Sequence, residues 1–445
     1  MSALAVCADV GSTYTKVAVV DVGGAELVAT AQRPTTVDTD VLHGLDAAVA
    51  ATGVRLAAGT PWYVCSSAGG GLRLAVVGYQ ELVTARAGHR VGLSAGALVV
   101  HVAAGRLGGA EVAGLRAARP DVVLLVGGTD GGDGEVLVHN AARLGAARWR
   151  VPVVVAGNVA VREQVVAALA GAGVPVTAAA NVLPRIGVLA AASARAAIRE
   201  VFLRHVIGGK RLSRGGRFAA LVRAATPDAV LSAVELLADV DGADLLVVDV
   251  GGATTDVYSA LTPDPEQRGG PRAEVTGTLW RSRTVEGDLG VRRSGPAVVA
   301  AALAERLLAP DDPLVADPLV AGPVGGAGAG DGRVAVERRL AVLAATVALR
   351  RHARGPDATV GGRGGRDLRR VRLVVGSGGV LRHAAAPDAV ALLDAALADD
   401  AGAWARPAAA RTVIDHRYVL AAGGLLAADH PAAAVAVLRR YLPAG

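Results

Sequence analysis
The feature that most constrains this chain is Leu245–Leu261, LLVVDVGGATTDVYSAL. An apolar run carrying one acid meets Gly251-Gly252, and a second β-rich run returns after Thr254-Thr255-Asp256. The pattern predicts a buried strand, a glycine turn and a returning strand rather than a strand feeding a helix. The two glycines let backbone N–H groups approach an anion, and Thr254 and Thr255 add hydroxyl donors. Asp249 and Asp256 flank the turn, which suits water-mediated binding of a phosphate-bound Mg²⁺. An ordinary hairpin with a polar turn has the same local signature. The chain carries the design twice, however. Val6–Val22, VCADVGSTYTKVAVVDV, repeats it with Asp9, Gly11, Ser12, Thr13 and Thr15, so the incidental reading loses most of its weight.

What surrounds the repeat limits the function classes. A chain of 445 residues has room for two or three domains with full cores. Only 3% of residues are aromatic, so those cores must be built from Val, Leu and Ala. No uninterrupted apolar run reaches the roughly 18 residues of a membrane span. Asp9 interrupts the N-terminus before a signal-peptide core develops. Cys7 and Cys65 are too few for a disulfide framework or a metal cluster. A cytoplasmic location without membrane attachment is therefore expected. The net charge of +6 raises nucleic acid as a partner, but Lys16 and Lys210 are the only lysines and the arginines are dispersed. No basic stripe interleaved with aromatics appears, so no nucleic-acid partner is expected.

Strands are predicted over 4–10, 14–21 and 26–33, an antiparallel meander followed by a helix over Asp38–Thr52. A P-loop or a dinucleotide fingerprint would place a helix straight after the glycines. Here KVAVV follows instead, and Lys16 on that strand offers a compact ammonium close to the turn. From Trp62 to about Val182 strands alternate with helices, with strands predicted at Trp62–Cys65, Leu98–Ala103, Val122–Val126, Val151–Ala156 and Pro175–Ala179. Helices are clearest at Glu135–Ala147 and Val161–Ala170, and repeated βα units imply a mainly parallel sheet. Their strand-end loops, Ser66–Gly71, Gly127–Asp133 and Gly157-Asn158, are candidate contacts. A helical segment is expected from Asn181 towards His205, then a basic loop holding Lys210, then a helix with Thr226 as N-cap and Pro227 at its first position. After the organising hairpin come a strand over Glu274–Arg283, an acidic turn over Thr284–Gly290, and helices within 296–310 and 335–353. A strand at Arg372–Val375 then runs into Gly376-Ser377-Gly378-Gly379. Asp388–Leu397, a strand near Thr412–Ile414 and helices between Tyr418 and Tyr441 complete the chain.

Two acid–glycine hairpins about 240 residues apart, followed by strand–GSGGV–helix, resemble the ATPase core shared by actin, sugar kinases and heat-shock 70 chaperones. The resemblance implies an α/β fold of duplicated ribonuclease-H-like domains that close over ATP and Mg²⁺. It places Asp9, Gly11, Ser12, Thr13, Thr15 and Lys16 in the phosphate-one motif. Asp249, Gly251, Gly252, Thr254, Thr255 and Asp256 fall in phosphate-two, and Gly376, Ser377, Gly378 and Gly379 in the adenosine loop. On that basis Asp9, Lys16, Asp249 and Asp256 are the candidate catalytic residues, and Asp9 and Asp249 the candidate metal-holding ones. The expected domains are a first lobe over 1–240 with an α/β insertion at about 62–200, a second lobe over 241–425, and a C-terminal helix over 426–445.

A narrower resemblance covers nearly the whole chain. ADVGSTYTK, CSSAGGGLRLAVVG, LLVGGTDGG, NVLPRIGVL, VVDVGGATTDV, TVEGDLG and VVGSGGVLRH together resemble the glutamate-mutase-associated MutL family, which is unrelated to the mismatch-repair protein of that name. The resemblance implies an ATP-dependent reactivating factor for adenosylcobalamin-dependent mutases or aminomutases, whose subunits would be its partners. The alternatives are a small-molecule kinase of the same superfamily and a non-hydrolysing ATP-gated scaffold. Asp130, Asp133, Glu286, Asp288 and Asp256 stay open as the residue that orients an attacking water, and homo-oligomerisation stays open too. The segment 62–200 is the expected site of partner recognition.

Overall fold
The computed structural model describes residues 3–68, 72–207, 212–263, 279–321, 331–355, 365–401 and 404–442. Gly69–Gly71, Lys210, most of the 262–272 loop, the first part of the Glu274–Arg283 strand and the glycine-rich stretches within 321–333 and 355–366 lie outside them. By contacts the chain divides into two compact units. One comprises Met1–Val230, Pro263–Leu279 and Gly424–Ala433; the other comprises Leu231–Thr262, Trp280–Gly423 and Ala434–Gly445. The division falls inside the helix Thr226–Asp241.

Three five-stranded sheets account for the strands β1 to β15 of the described residues. The first contains β1 (Leu4–Val10), β2 (Tyr14–Asp21), β3 (Glu26–Pro34), β4 (Trp62–Ser66) and β10 (Val222–Ala225). Its order is β10-β4-β1-β2-β3, with β1 to β3 antiparallel and β4 and β10 parallel to β1. The second unit repeats this with β11 (Asp244–Val250), β12 (Thr255–Ala260), β13 (Arg281–Glu286), β14 (Val371–Ser377) and β15 (Arg411–Ile414), in the order β13-β12-β11-β14-β15. Counted from its own first strand, each sheet reads 3-2-1-4-5 with the same strand directions. This is the duplicated ribonuclease-H-like α/β fold of the actin and sugar-kinase ATPases.

The remaining sheet holds β5 (Arg73–Gly78), β6 (Leu98–Ala104), β7 (Val122–Leu125), β8 (Val153–Val155) and β9 (Val176–Ala178) in the order β6-β5-β7-β8-β9, all parallel. Read in chain order this is 2-1-3-4-5, a doubly wound sheet. Its side chains alternate by face. Leu74, Val76, Val122, Leu124 and Val154 join the same hydrophobic core as Val6, Ala8, Val10 and Val64 of the first sheet. Ala75, Val77, Val123, Leu125, Val153 and Val155 build a separate core with Leu137, Leu144 and Leu169. The second core is built of Val, Leu and Ala, and the first is mostly so, with Ile198, Phe202 and Phe218 added.

Several local expectations are corrected. Trp62–Ser66 is not part of the inserted sheet, because β4 pairs with β1; the inserted sheet begins with β5, a strand that the sequence reading lacks. The helix expected from Asn181 begins only at Ala192, because Asn181 and Pro184 are held in the strand-end loops. The third strand of the second unit is Arg281–Glu286, so Thr284 to Glu286 belong to the strand and not to the turn.

Candidate functional site
The sequence places a turn where an apolar strand must reverse, and the two hairpins solve the problem in the same way. In the first, Gly11 N–H donates to the Tyr14 carbonyl at 3.1 Å, and a Cβ on Gly11 would lie 2.8 Å from that oxygen. In the second, Gly251 N–H donates to the Thr254 carbonyl at 2.9 Å, and a Cβ would again lie 2.8 Å away. Only glycine lets the backbone close this tightly. Asp9 is then the residue opposite Lys16, and Asp249 the residue opposite Asp256. One step nearer the turn, Val10 pairs with Thr15 and Val250 with Thr255.

Around the first hairpin Asp9 is 3% exposed. Its Oδ1 accepts from the Thr226 hydroxyl at 2.5 Å and from Cys65 Sγ at 3.7 Å, while Lys16 Nζ lies 3.5 Å from Oδ2. Burial and the Asp9 charge push the Cys65 thiol well above its usual range, so it stays protonated and serves as a weak donor. Burial takes Cys7 up to about 12. Neither cysteine is a nucleophile. Ser12 and Thr13 are exposed at the tip. Thr15 is buried, with its hydroxyl 3.0 Å from that of Thr35, so it braces the meander.

Around the second hairpin, Val291 N–H bonds the Gly251 carbonyl at 3.2 Å, and Arg292 and Arg293 N–H bond that of Gly252 at 3.0 and 2.9 Å. Thr255 is buried and donates to the Leu289 carbonyl at 2.7 Å. With these carbonyls engaged, less negative charge is left to oppose an anion at the turn. Thr254 is half-buried beside them. Asp256 Oδ2 pairs with buried Arg283 at 2.7 Å and accepts from the Tyr258 hydroxyl at 3.2 Å. Burial holds the Tyr258 phenol well above its usual range, so it is a neutral donor. Asp256 Oδ1 is buried with no hydrogen-bond partner, an acceptor left for something the protein does not supply.

The glycine loop after β14 closes onto this hairpin. Gly376, Ser377 and Gly378 are buried and Gly379 is exposed. Gly378 has φ +98°, and a Cβ there would sit 2.1 Å from the Val250 carbonyl oxygen and 2.8 Å from Asp249 Oδ1. Ser377 pairs with Asp249 in register.

The remaining acids are committed elsewhere. Asp130 Oδ1 accepts from Asn181 Nδ2 at 2.9 Å and Val159 N–H at 3.2 Å, and Asp133 Oδ1 from Glu135 N–H at 2.8 Å. Buried Asn158 completes that loop by binding Gly131, Gly132 and Ala160. Arg351 pairs with both Glu286, at 2.6 Å, and Asp288, at 3.0 Å. Burial raises the Glu286 carboxyl, and Arg351 opposes the shift. Sequence reasoning did not find Arg283, Arg351 or the Thr226–Asp9 contact, which join residues far apart in the chain.

Among the described residues no three His, Cys, Asp or Glu converge into a metal cage. Asp9 stands at the base of the first hairpin, and Asp249 opposite Asp256 at the base of the second. Carboxylates presented singly or in pairs fit Mg²⁺, which keeps several waters and takes one or two carboxylates beside phosphate oxygens. Among the described residues no helix is long and apolar enough to cross a membrane.

Residues 5–442 match the family model described as MutL protein. The chain is 34% identical over 461 residues to "Protein MutL" of Clostridium tetanomorphum, covering 98% of each. Among solved structures it is similar to a nucleotide-free acetone carboxylase, at 15% identity, 96% and 71% coverage and TM-score 0.41. It is also similar to an ATP-dependent caprolactamase from Pseudomonas jessenii, at 15% identity, 95% and 70% coverage and TM-score 0.38. Motifs, sheet order and matched length agree: the chain belongs to the glutamate-mutase-associated MutL family.

Proposed function
We propose that this chain is an ATPase that reactivates an adenosylcobalamin-dependent mutase or aminomutase. The observation that carries the ATPase part is the matched pair of hairpins, each closed at a glycine and each with an aspartate at the same register position. The tip amides hold phosphate oxygens, Lys16 supplies a compact positive charge, and Asp9 and Asp249 hold the waters of the metal. Mg²⁺, when bound, neutralises phosphate charge during transfer. Asp256, fixed through Oδ2 by Arg283 and Tyr258, keeps Oδ1 to orient a water. Glu286 and Asp288, paired with Arg351, are better suited to bracing the turn. Asp130 and Asp133 bind their own loop, which weighs against their use as a base by a small-molecule kinase.

The mutase part rests on family membership, and partner recognition belongs to the segment 62–200. Leu82, in the short π-helix Glu81–Ala85 after β5, and Ile186, in a turn after β9, stand 72% and 60% exposed beyond the carboxyl ends of those strands, on a sheet that the nucleotide chemistry does not need. The test is to inactivate such a mutase by turnover, then add this protein with ATP, Mg²⁺ and fresh adenosylcobalamin. Activity should return with ATP and not with a non-hydrolysable analogue, and surface charge reversals within 62–200 should abolish rescue while sparing ATP hydrolysis. Rescue without ATP, or rescue that survives every reversal, would contradict the proposal. Asp249→Asn should fold normally and lose about 100-fold or more in ATP hydrolysis; full activity would remove the site assignment.

A further inference from the structure
We propose that Thr226 is a positioning residue for Asp9, its hydroxyl fixing the carboxylate that the first hairpin turns towards the metal-bound nucleotide. The inference deepens the ATPase reading above and rests on it. A buried carboxylate on a strand end can rotate about its terminal torsion, which is broad. The Lys16 contact at 3.5 Å is too long to define its direction closely. Two donors on Oδ1 remove that freedom. One is the Cys65 thiol at 3.7 Å, a weak donor. The other is the Thr226 hydroxyl at 2.5 Å, an O–H donor to a carboxylate and so the stronger of the two.

The backbone leaves Thr226 little choice of position. It follows β10 directly, where Ala225 pairs with Ser66 of β4, and Ser66 in turn pairs with Val10, the residue after Asp9. It opens the helix Thr226–Asp241, and Pro227 presets the first helical turn. A β-branched side chain has few rotamers, so the hydroxyl sits where strand pairing puts it. Thr226 is expected from sequence to cap its helix, a role that uses the hydroxyl oxygen as acceptor; its proton goes to Asp9. With Oδ1 engaged twice, Oδ2 is the oxygen that faces Lys16 across the hairpin.

The experiment is calorimetric titration of the intact chain with ATP, once with Mg²⁺ and once with EDTA, alongside hydrolysis rates and thermal midpoints. Thr226→Val keeps the shape and removes the donor. It should weaken Mg²⁺–ATP binding about tenfold while leaving metal-free ATP binding within about twofold, and Thr226→Ser should restore the wild-type values. If Thr226→Val does not fold, Thr226→Ala carries the same comparison. Wild-type affinity for Mg²⁺–ATP in the variant would overturn the proposal. So would an equal loss in both titrations together with a lowered midpoint, which marks a structural role. A wild-type protein whose ATP binding ignores Mg²⁺ would overturn the site reading itself, and this inference with it.

Discussion

Lys16 stands directly across the first hairpin from Asp9, with Nζ 3.5 Å from Oδ2, at the register position that Asp256 occupies opposite Asp249 in the second. The two halves of the fold therefore differ in charge where they agree in backbone. The first hairpin carries a near-neutral pair, and the second carries two acids offset by Arg283. Lys16→Met should accordingly weaken Mg²⁺–ATP binding about 10- to 100-fold, the scale of one charge-assisted contact. Calorimetry checks it, and wild-type affinity would show that the ammonium faces no phosphate.

Arg283 pairs with Asp256 at 2.7 Å, and both are largely buried. Arg283→Met leaves that carboxylate uncompensated and should cost about 3–5 kcal/mol of stability. Arg283→Met combined with Asp256→Leu should recover most of it while hydrolysis stays lost. Denaturant unfolding separates the two effects; a single variant as stable as wild type would contradict the pairing.

Gly378 and Gly379 are neighbours with opposite tolerance. Gly378→Ala forces a Cβ to 2.1 Å from the Val250 carbonyl oxygen at φ +98°, whereas a Cβ on Gly379 meets nothing within 4 Å. Gly378→Ala should destabilise by about 2 kcal/mol or more, and Gly379→Ala should stay within about 0.5 kcal/mol of wild type. Equal unfolding midpoints for the two would refute the close approach of the loop to the hairpin.

His352 is fully buried, with Nδ1 3.0 Å from the Thr284 hydroxyl and Nε2 2.9 Å from that of Ser259. A neutral ring satisfies both hydroxyls, one as donor and one as acceptor. Burial holds its pKa well below 6.5. The folded-state value is depressed, so below about 6.5 the unfolded chain gains a proton that the folded chain refuses. Stability from this group is then lost by about 1.4 kcal/mol per pH unit until the folded value is reached. Wild type should be more stable than His352→Gln at pH 7.5, by a margin that narrows towards pH 5.5. A margin that stays constant would mean that the ring titrates normally in the fold.

Both hairpins were legible in the sequence because their cause is local. A strand that must reverse within four residues needs a glycine, and period-two patterning marks the strands on either side. The partners of those strands were less legible. Nothing in WYVCS says that β4 joins β1 rather than the βα units after it, since parallel pairing is decided by packing. RLAVVG was hidden behind a glycine run, with an arginine at its head and no alternation. The side-chain contacts that define the site were least legible of all. Asp9–Thr226, Asp256–Arg283 and Glu286–Arg351 join positions 217, 27 and 65 residues apart, and no spacing rule reaches that far.

The inserted sheet has one further consequence. Its two faces serve different masters: Leu74, Val76 and Leu124 lie in the core that holds Val6, Ala8 and Val10 of the first sheet, while Val77, Val123 and Leu125 lie in a core of their own. A cassette that can be gained or lost by recombination joins its host through a narrow neck and leaves the host's interior whole. Here excision would strip aliphatic side chains from the core beneath the strands that carry Asp9 and Lys16. The insertion and the first hairpin are therefore expected to be inherited together, and relatives should vary in the strand-end loops rather than in the presence of the sheet.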